Sequence, residues 1–263
     1  MKRVIPLFLS ICSTVVLNAQ DTTSATAMIS GDPVVLAADM KPPLAISSTP
    51  TVQELSDAFI QAGMGQEDPF KVVALVAERG EDAVLALGEF LFAGPQPSAA
   101  IGTMQTDTGS VQVYGLTPRK VYAVIALEVI GTKSAFETLF QVAASHPEEE
   151  VRTHALKAIA ASFLARFQDG AIRGEPNKEV IHLLLRYADD CTKSPYVEGS
   201  LAGVARGGLR SWAEIDLGEV NPAVKAITVQ GETMSLAQYR ERWWQGNYEK
   251  IDWSVEKKRF ELK

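Results

Sequence analysis

"SHPEEEVRTHALKAIAASFLARF", residues 145–167, places Val151, Ala155, Ile159, Phe163 and Phe167 at every fourth position. That spacing draws one apolar line along a helix, and Leu156, Ala158 and Leu164 widen it into a face that must be buried. Pro147 suits a first helical turn, where its missing N–H has no partner to lose. Glu148, Glu149 and Glu150 follow where the positive end of the helix dipole favours carboxylates. The stretch predicts a helix with a marked start and one dry side.

The pattern recurs upstream. "TPRKVYAVIALEVIG" (117–131) opens with Pro118 and sets Ala126, Leu127 and Ile130 29 residues before Ala155, Leu156 and Ile159. "DPFKVVALVAERG" (68–80) repeats the order, with Pro69, Lys71 and Val72 answering Pro118, Lys120 and Val121. A second amphipathic segment follows each copy: "EDAVLALGEFLF", "SAFETLFQVAAS" and "KEVIHLLLRYADD". The chain therefore reads as a series of helix pairs. "KVYAVIALEVIG" is apolar nearly all round, so one pair alone leaves apolar surface on both flanks and needs neighbours to exclude water.

"SAFETLFQVAASHPEEEVRTHALKAIAASF" resembles a HEAT repeat: a helix, a short break with proline, then Glu150-Val151-Arg152 with Ala155 and Leu156 in the family's spacing. The Asp usual before Val-Arg in that family is Glu150 here. The resemblance implies an all-α fold, an α-solenoid of stacked antiparallel helix pairs over residues 51–211, closed by an aromatic C-terminal capping segment, 212–263. It also implies a concave surface lined by the second helix of each pair. By position in the pairs that surface carries Glu89, Glu137, Gln141, His182 and Arg186, a shallow polar groove for a protein or peptide partner.

The first 20 residues, "MKRVIPLFLSICSTVVLNAQ", join Lys2 and Arg3 to an apolar run and then Asn18-Ala19-Gln20. This is the pattern of an export signal. The run is shorter than the roughly 18 apolar residues of a membrane span, and Pro6 interrupts it. Bulky Ile11 before Cys12 disfavours a lipid anchor. The expectation is an exported protein, periplasmic or secreted, with no transmembrane segment once the leader is removed. Residues 21–50, ending "KPPLAISSTP", read as a flexible linker. Thr51 with Glu54 three residues on reads as a capping box opening a first helix. The insertion 94–117 breaks helical periodicity with Gly94, Pro95 and Pro97 and reads as a surface loop, with a short strand at "SVQVY".

The chain of 263 residues carries a formal charge of −7; without Lys2 and Arg3 it has 23 bases against 32 acids, or −9. That balance disfavours nucleic-acid binding. Without Cys12 only Cys191 remains, so the mature chain has no internal disulfide.

No G-x-S-x-G, G-x-x-x-x-G-K or C-x-x-C occurs, so the common signatures of a catalytic serine, a phosphate loop and a redox thiol are missing. His146 and His154 span three glutamates, but their spacing does not gather two imidazoles and a carboxylate on one helical face. They read as a boundary residue and a flank residue, and no metal or cofactor is expected. "DDC" at 189–191 reads as a helix end. Gly199, Gly203 and Gly207 give one bare side to a helix, which close approach by a neighbour would offset. The tail gathers Tyr239, Trp243, Trp244, Tyr248 and Trp253. These read as a cap over the last repeat, with Trp244 as the exposed exception available to a partner.

Three functional classes stay open: a non-catalytic protein- or peptide-binding scaffold, which the sequence favours; a carbohydrate or cell-wall binding module built on the tail aromatics; and a hydrolase using acidic residues of the groove.

Overall fold

A helix opens wherever the sequence supplies a cap. Thr51 Oγ1 accepts the Glu54 N–H at 3.2 Å while Glu54 Oε2 accepts the Thr51 N–H at 2.8 Å, so the expected capping box starts α1 (Val52–Gly63). Asp68 accepts the Phe70 N–H at 2.9 Å, and Pro69 takes the first position of α2 (Pro69–Ala77). α3 (Glu81–Phe92) and α4 (Lys120–Ile130) follow. α4 ends at Gly131, whose φ of +62° suits a glycine; a Cβ there would lie 2.1 Å from the Arg166 guanidinium. Thr132 then caps α5 (Lys133–Ser145).

These elements belong to a computed structural model, which describes residues 44–63, 65–93, 100–106, 109–114, 120–190, 200–218 and 224–263. The expected export signal, residues 21–43 of the linker, Cys191 and Gly199 lie outside the described residues. Residues Leu44–Lys263 form one unit.

The stretch 145–167 becomes one rod in three parts: α6 (Glu149–Lys157), a π-helical segment Ala158–Phe163, and α7 (Leu164–Gln168). Pro147 precedes the Glu148 N-cap and is not in the first turn. The π segment has a physical reason. An α-helix turns about 100° per residue, so a series at every fourth position drifts about 40° per step and would wind the apolar line away from the core. A wider π turn takes up that drift. Val151, Ala155, Ile159, Phe163 and Phe167 are all buried as a result. α8 (Glu179–Tyr187) and α9 (Leu201–Ala213) complete the series, α9 opening on a Ser200 cap.

The helices neighbour one another in two runs. α2 packs on α4, α4 on α6 and α6 on α9; α1 packs on α3, α3 on α5 and α5 on α8. The two runs meet across the core, where α5 lies on α6 and α8 on α9. Leu87, Leu127, Leu139, Leu156 and Ile159 are fully buried between them. Two polar sites interrupt this apolar seam. His146 is buried: its Nε2 donates to the Leu91 carbonyl at 2.8 Å, and its Nδ1 accepts the Glu148 N–H at 3.1 Å, so the neutral ring with the proton on Nε2 satisfies both contacts. Lys120, also buried, donates to the Ala93 carbonyl at 3.1 Å and lies 3.4 Å from Glu148. Arg152 closes the α5–α6 turn by donating to the carbonyls of His146 and Pro147 at 2.7 and 2.8 Å.

The molecule is mainly helical, and the all-α expectation needs one correction: the described residues contain three two-stranded antiparallel hairpins. β1 (Ala100–Thr106) pairs with β2 (Gly109–Tyr114) inside the insertion read as a loop. The strand expected at "SVQVY" is there, and Ala100–Thr106 is the partner that periodicity alone did not reveal. β3 (Ala226–Val229) pairs with β4 (Glu232–Ser235), and β5 (Ile251–Ser254) with β6 (Arg259–Leu262), in the tail read as a simple cap. Between these hairpins α10 (Leu236–Asn247) starts on a Ser235–Gln238 capping box and packs on α8.

Three further expectations are corrected. Order begins before Thr51, since Ile46 is buried and its carbonyl accepts from Arg79 at 2.8 Å. The boundary at 211/212 falls inside α9. Close approach falls on a different glycine from those expected: Gly203 and Gly207 are exposed, whereas a Cβ on Gly208 would lie 2.8 Å from Leu184 of α8.

Trp212, near the end of α9, is fully buried among Phe136, Phe167, Trp253 and Phe260, with ring centroids 6.2–6.4 Å apart. Among the described residues its Nε1 has no hydrogen-bond partner. Trp212→Ala should therefore cost about 3–5 kcal/mol through the cavity it leaves. Trp212→Phe should cost under about 2 kcal/mol, since the ring stays and no hydrogen bond is lost. Equal losses in urea denaturation of the two variants would contradict this account.

Candidate functional site

The residues expected to line one groove fall on α3, α5 and α8, the helices of one run, but they collect in two clefts. Glu137 and Gln141 stand one turn apart on α5 because i and i+4 share a helical face. With Lys133 and Phe140 they border a cleft of about 320 Å³, closed on the other side by Phe167 and the α7–α8 connection at Glu175, Pro176 and Asn177. Its floor is Phe136, buried and packed edge-on to Phe167 at 5.5 Å. The cleft thus has an aromatic base and a polar rim of amides and carboxylates. The aromatics were missed in the sequence because Phe136 and Phe140 read as ordinary core positions of an amphipathic helix.

His182 and Arg186 border the second cleft, of about 700 Å³, formed between α8, α10 and the β3–β4 hairpin. His182 Nε2 lies 2.7 Å from Glu241 Oε2, and His182 Nδ1 lies 3.4 Å from Glu179 Oε2. The Nε2 contact is the hydrogen bond that fixes the ring, and Nδ1 faces the Glu179 carboxylate at the longer distance. The His182 ring and then the Gln245 amide, which donates to Glu241 Oε1 at 2.7 Å, hold the Glu241 carboxyl below the ordinary carboxylate range.

Trp244 corrects an expectation. It is buried at 5% exposure, its ring stacked on His182 at 5.1 Å and 5° and edge-on to Tyr248 at 5.2 Å. It joins the tail to α8 and offers no free face to a partner. Glu89 is exposed on α3, as expected, but borders neither cleft; Leu85 and Phe92, exposed at 74% and 45%, share its side of the helix.

Below the second cleft, Asp189 holds three elements together. Its Oδ1 accepts from Arg206 of α9 at 2.8 Å, and its Oδ2 accepts from Arg240 of α10 at 2.8 Å. Arg206 is buried and also donates to the Ala188 and Gly218 carbonyls, each at 2.7 Å. The sequence reading of "DDC" as a helix end was right about α8, but two arginines far away in sequence gave no local sign of the network. Among the described residues no group of three His, Cys, Asp or Glu side chains is placed to hold a metal ion, and no helix is long and apolar enough to cross a membrane.

No protein-family model, curated protein or solved structure matches this chain.

Two outcomes follow. Asp189→Ala should lower stability by about 3–5 kcal/mol, because it strands two poorly hydrated guanidinium groups; a loss below 1 kcal/mol in denaturant titration would show that water replaces the carboxylate. His154 gives the second. Half-burial in α6, with Lys157 adding to it, lowers its folded pKa below the ordinary 6.5. Its neutral form therefore supports the fold fully above pH 6.5, and that support is lost as pH falls through the folded value. His154→Gln should flatten the stability profile on the acid side relative to wild type. Parallel profiles would count against it.

Proposed function

We propose that this chain is an exported, non-catalytic scaffold, a HEAT-like α-solenoid that holds a peptide or protein segment across α3, α5 and α8. The observation that carries this reading is the aromatic-floored cleft beside Glu137 and Gln141. Phe140 supplies an apolar wall for a side chain of the partner, while Gln141 and Asn177 can meet backbone amides and carbonyls at the rim. The neighbour relations of the helices support the solenoid. α3, α5 and α8 follow one another as the second helices of a HEAT-like array do, and α2, α4, α6 and α9 follow one another behind them. Exposed Leu85 and Phe92 beside Glu89 extend the apolar surface along the same run.

Catalysis is the weaker reading, because the histidine in the larger cleft is turned onto Glu241 and stacked on Trp244. Sugar stacking on the tail lost its main support when Trp244 proved buried beneath His182.

Selection of displayed random peptides against the full chain tests the scaffold. The expected result is an enriched sequence pattern with an apolar anchor, whose binding falls at least tenfold in Phe140→Asp and also falls in Glu137→Arg, an exposed rim position whose variant keeps the wild-type melting temperature. Failure to enrich any pattern, or equal binding by the variants, would overturn it.

A further inference from the structure

α8 and α10 run against each other in a ladder with steps of four residues. At the first rung Lys178 Nζ sits 3.7 Å from the centre of the Tyr248 ring and donates to the Tyr248 carbonyl at 2.9 Å. Four residues along α8, and four back along α10, His182 stacks on Trp244 at 5.1 Å. The first rung is a cation over an aromatic face and the second a stacked ring pair, both favourable in a partly dried interface. The next step of four reaches Arg186 on α8 and Arg240 on α10, and both line the 700 Å³ cleft. Here both positions are basic.

The surrounding charges do not resolve that rung. Arg240 is held by Asp189, which also serves Arg206. Arg242 is bound through both terminal nitrogens to Glu232, at 2.8 and 3.0 Å. His182 lies between Glu179 and Glu241. Arg186 is exposed on the last turn of α8, with the Tyr187 ring 5.7 Å away, and no carboxylate among the described residues lies within ion-pair distance of it. Of the cationic groups lining the cleft, Arg186 is thus the one with no opposite charge beside it among the described residues. The Gln238 side chain, whose oxygen caps α10, lines the same cleft and has an amide NH2 to offer beside it.

We propose that the Arg186 rung is a binding site for a carboxylate of an acidic peptide segment, the guanidinium fork taking both oxygens. The assignment deepens the scaffold reading, on which it rests, by naming the charge of the segment that crosses α8. The chain's net charge of −7 makes the site specific, because the overall field repels an acidic ligand and attraction must be local.

The test uses the full chain and a fluorescein-labelled oligoglutamate peptide, followed by fluorescence anisotropy at low salt. Saturable binding is expected, weakened about tenfold in Arg186→Gln and also weakened in Arg186→Lys, which keeps the charge but loses the fork. Both variants should melt with the wild type, since Arg186 is exposed. Binding indifferent to Arg186→Gln, or absent from the wild type, overturns the site. Displacement of the peptide by inorganic phosphate as readily as by glutarate would assign the rung to phosphate and overturn the carboxylate. Oligoglutamate binding through Arg186, alongside a display selection that yields no pattern, would fail the scaffold reading and keep this site. An enriched pattern without acidic residues, bound independently of Arg186, would do the reverse.

Discussion

The rest of the structure follows from one constraint, the wetting of helices that are apolar on more than one side. α4 shows it most plainly. Ala123, Val124, Ala126 and Leu127 are all buried, and Tyr122, Ile125 and Ile130 are partly covered, so polar residues cannot shield any long face of it. Only neighbours can keep such a helix dry, and α2, α3, α5 and α6 all lie against it. The same demand passes to the next helices, since each dried flank is made by an element with a flank of its own. At the far end the demand stops at α9, where Trp212 would face water but for Trp253 and Phe260 of the last hairpin.

Apolar burial has no direction, so it decides which helices meet better than it decides how far one slides along another. The buried polar contacts supply the register. A one-turn slip of α3 against the α5–α6 turn would leave His146 without the Leu91 carbonyl and Lys120 without the Ala93 carbonyl, each a buried group stripped of its partner at about 1–3 kcal/mol. Asp189 plays the same part at the other end, joining α8, α9 and α10 through two guanidinium groups. A network satisfied in one arrangement only is a stronger specifier of position than any of the surrounding leucines.

What was legible in the sequence was whatever depends on neighbours along the chain. The Thr51–Glu54 cap, the helical segments and the buried face of residues 151–167 all express local spacing. The strict four-residue period even held a sign of the π segment, because no straight α-helix keeps five such positions on one side. Contacts between distant segments left no such sign. Gly208 and its exposed neighbours Gly203 and Gly207 look alike until Leu184 is placed, and Trp244 looks like a free aromatic until His182 lies on it. The aromatic cleft stayed hidden for a related reason: Phe140 follows Phe136 at the spacing of a core stripe, and only the α7–α8 connection leaves the second ring partly uncovered.

The tail changes what the helical run can offer a partner. In covering the end of the fold it spends its aromatic residues inward, on Trp212, His182 and Lys178. It also brings α10 alongside α8, and with it a second arginine to a place where α8 already presents one. The run α3, α5, α8 then carries a gradient: exposed Leu85 and Phe92 with Glu89 on α3, aromatic rings with Glu137 and Glu175 around α5, and an exposed arginine on α8. A ligand that lies along this surface meets apolar and acidic groups first and a cation last, so its two directions are not equivalent. On the proposed reading, the segment that closes the fold is also the one that gives the bound chain its orientation.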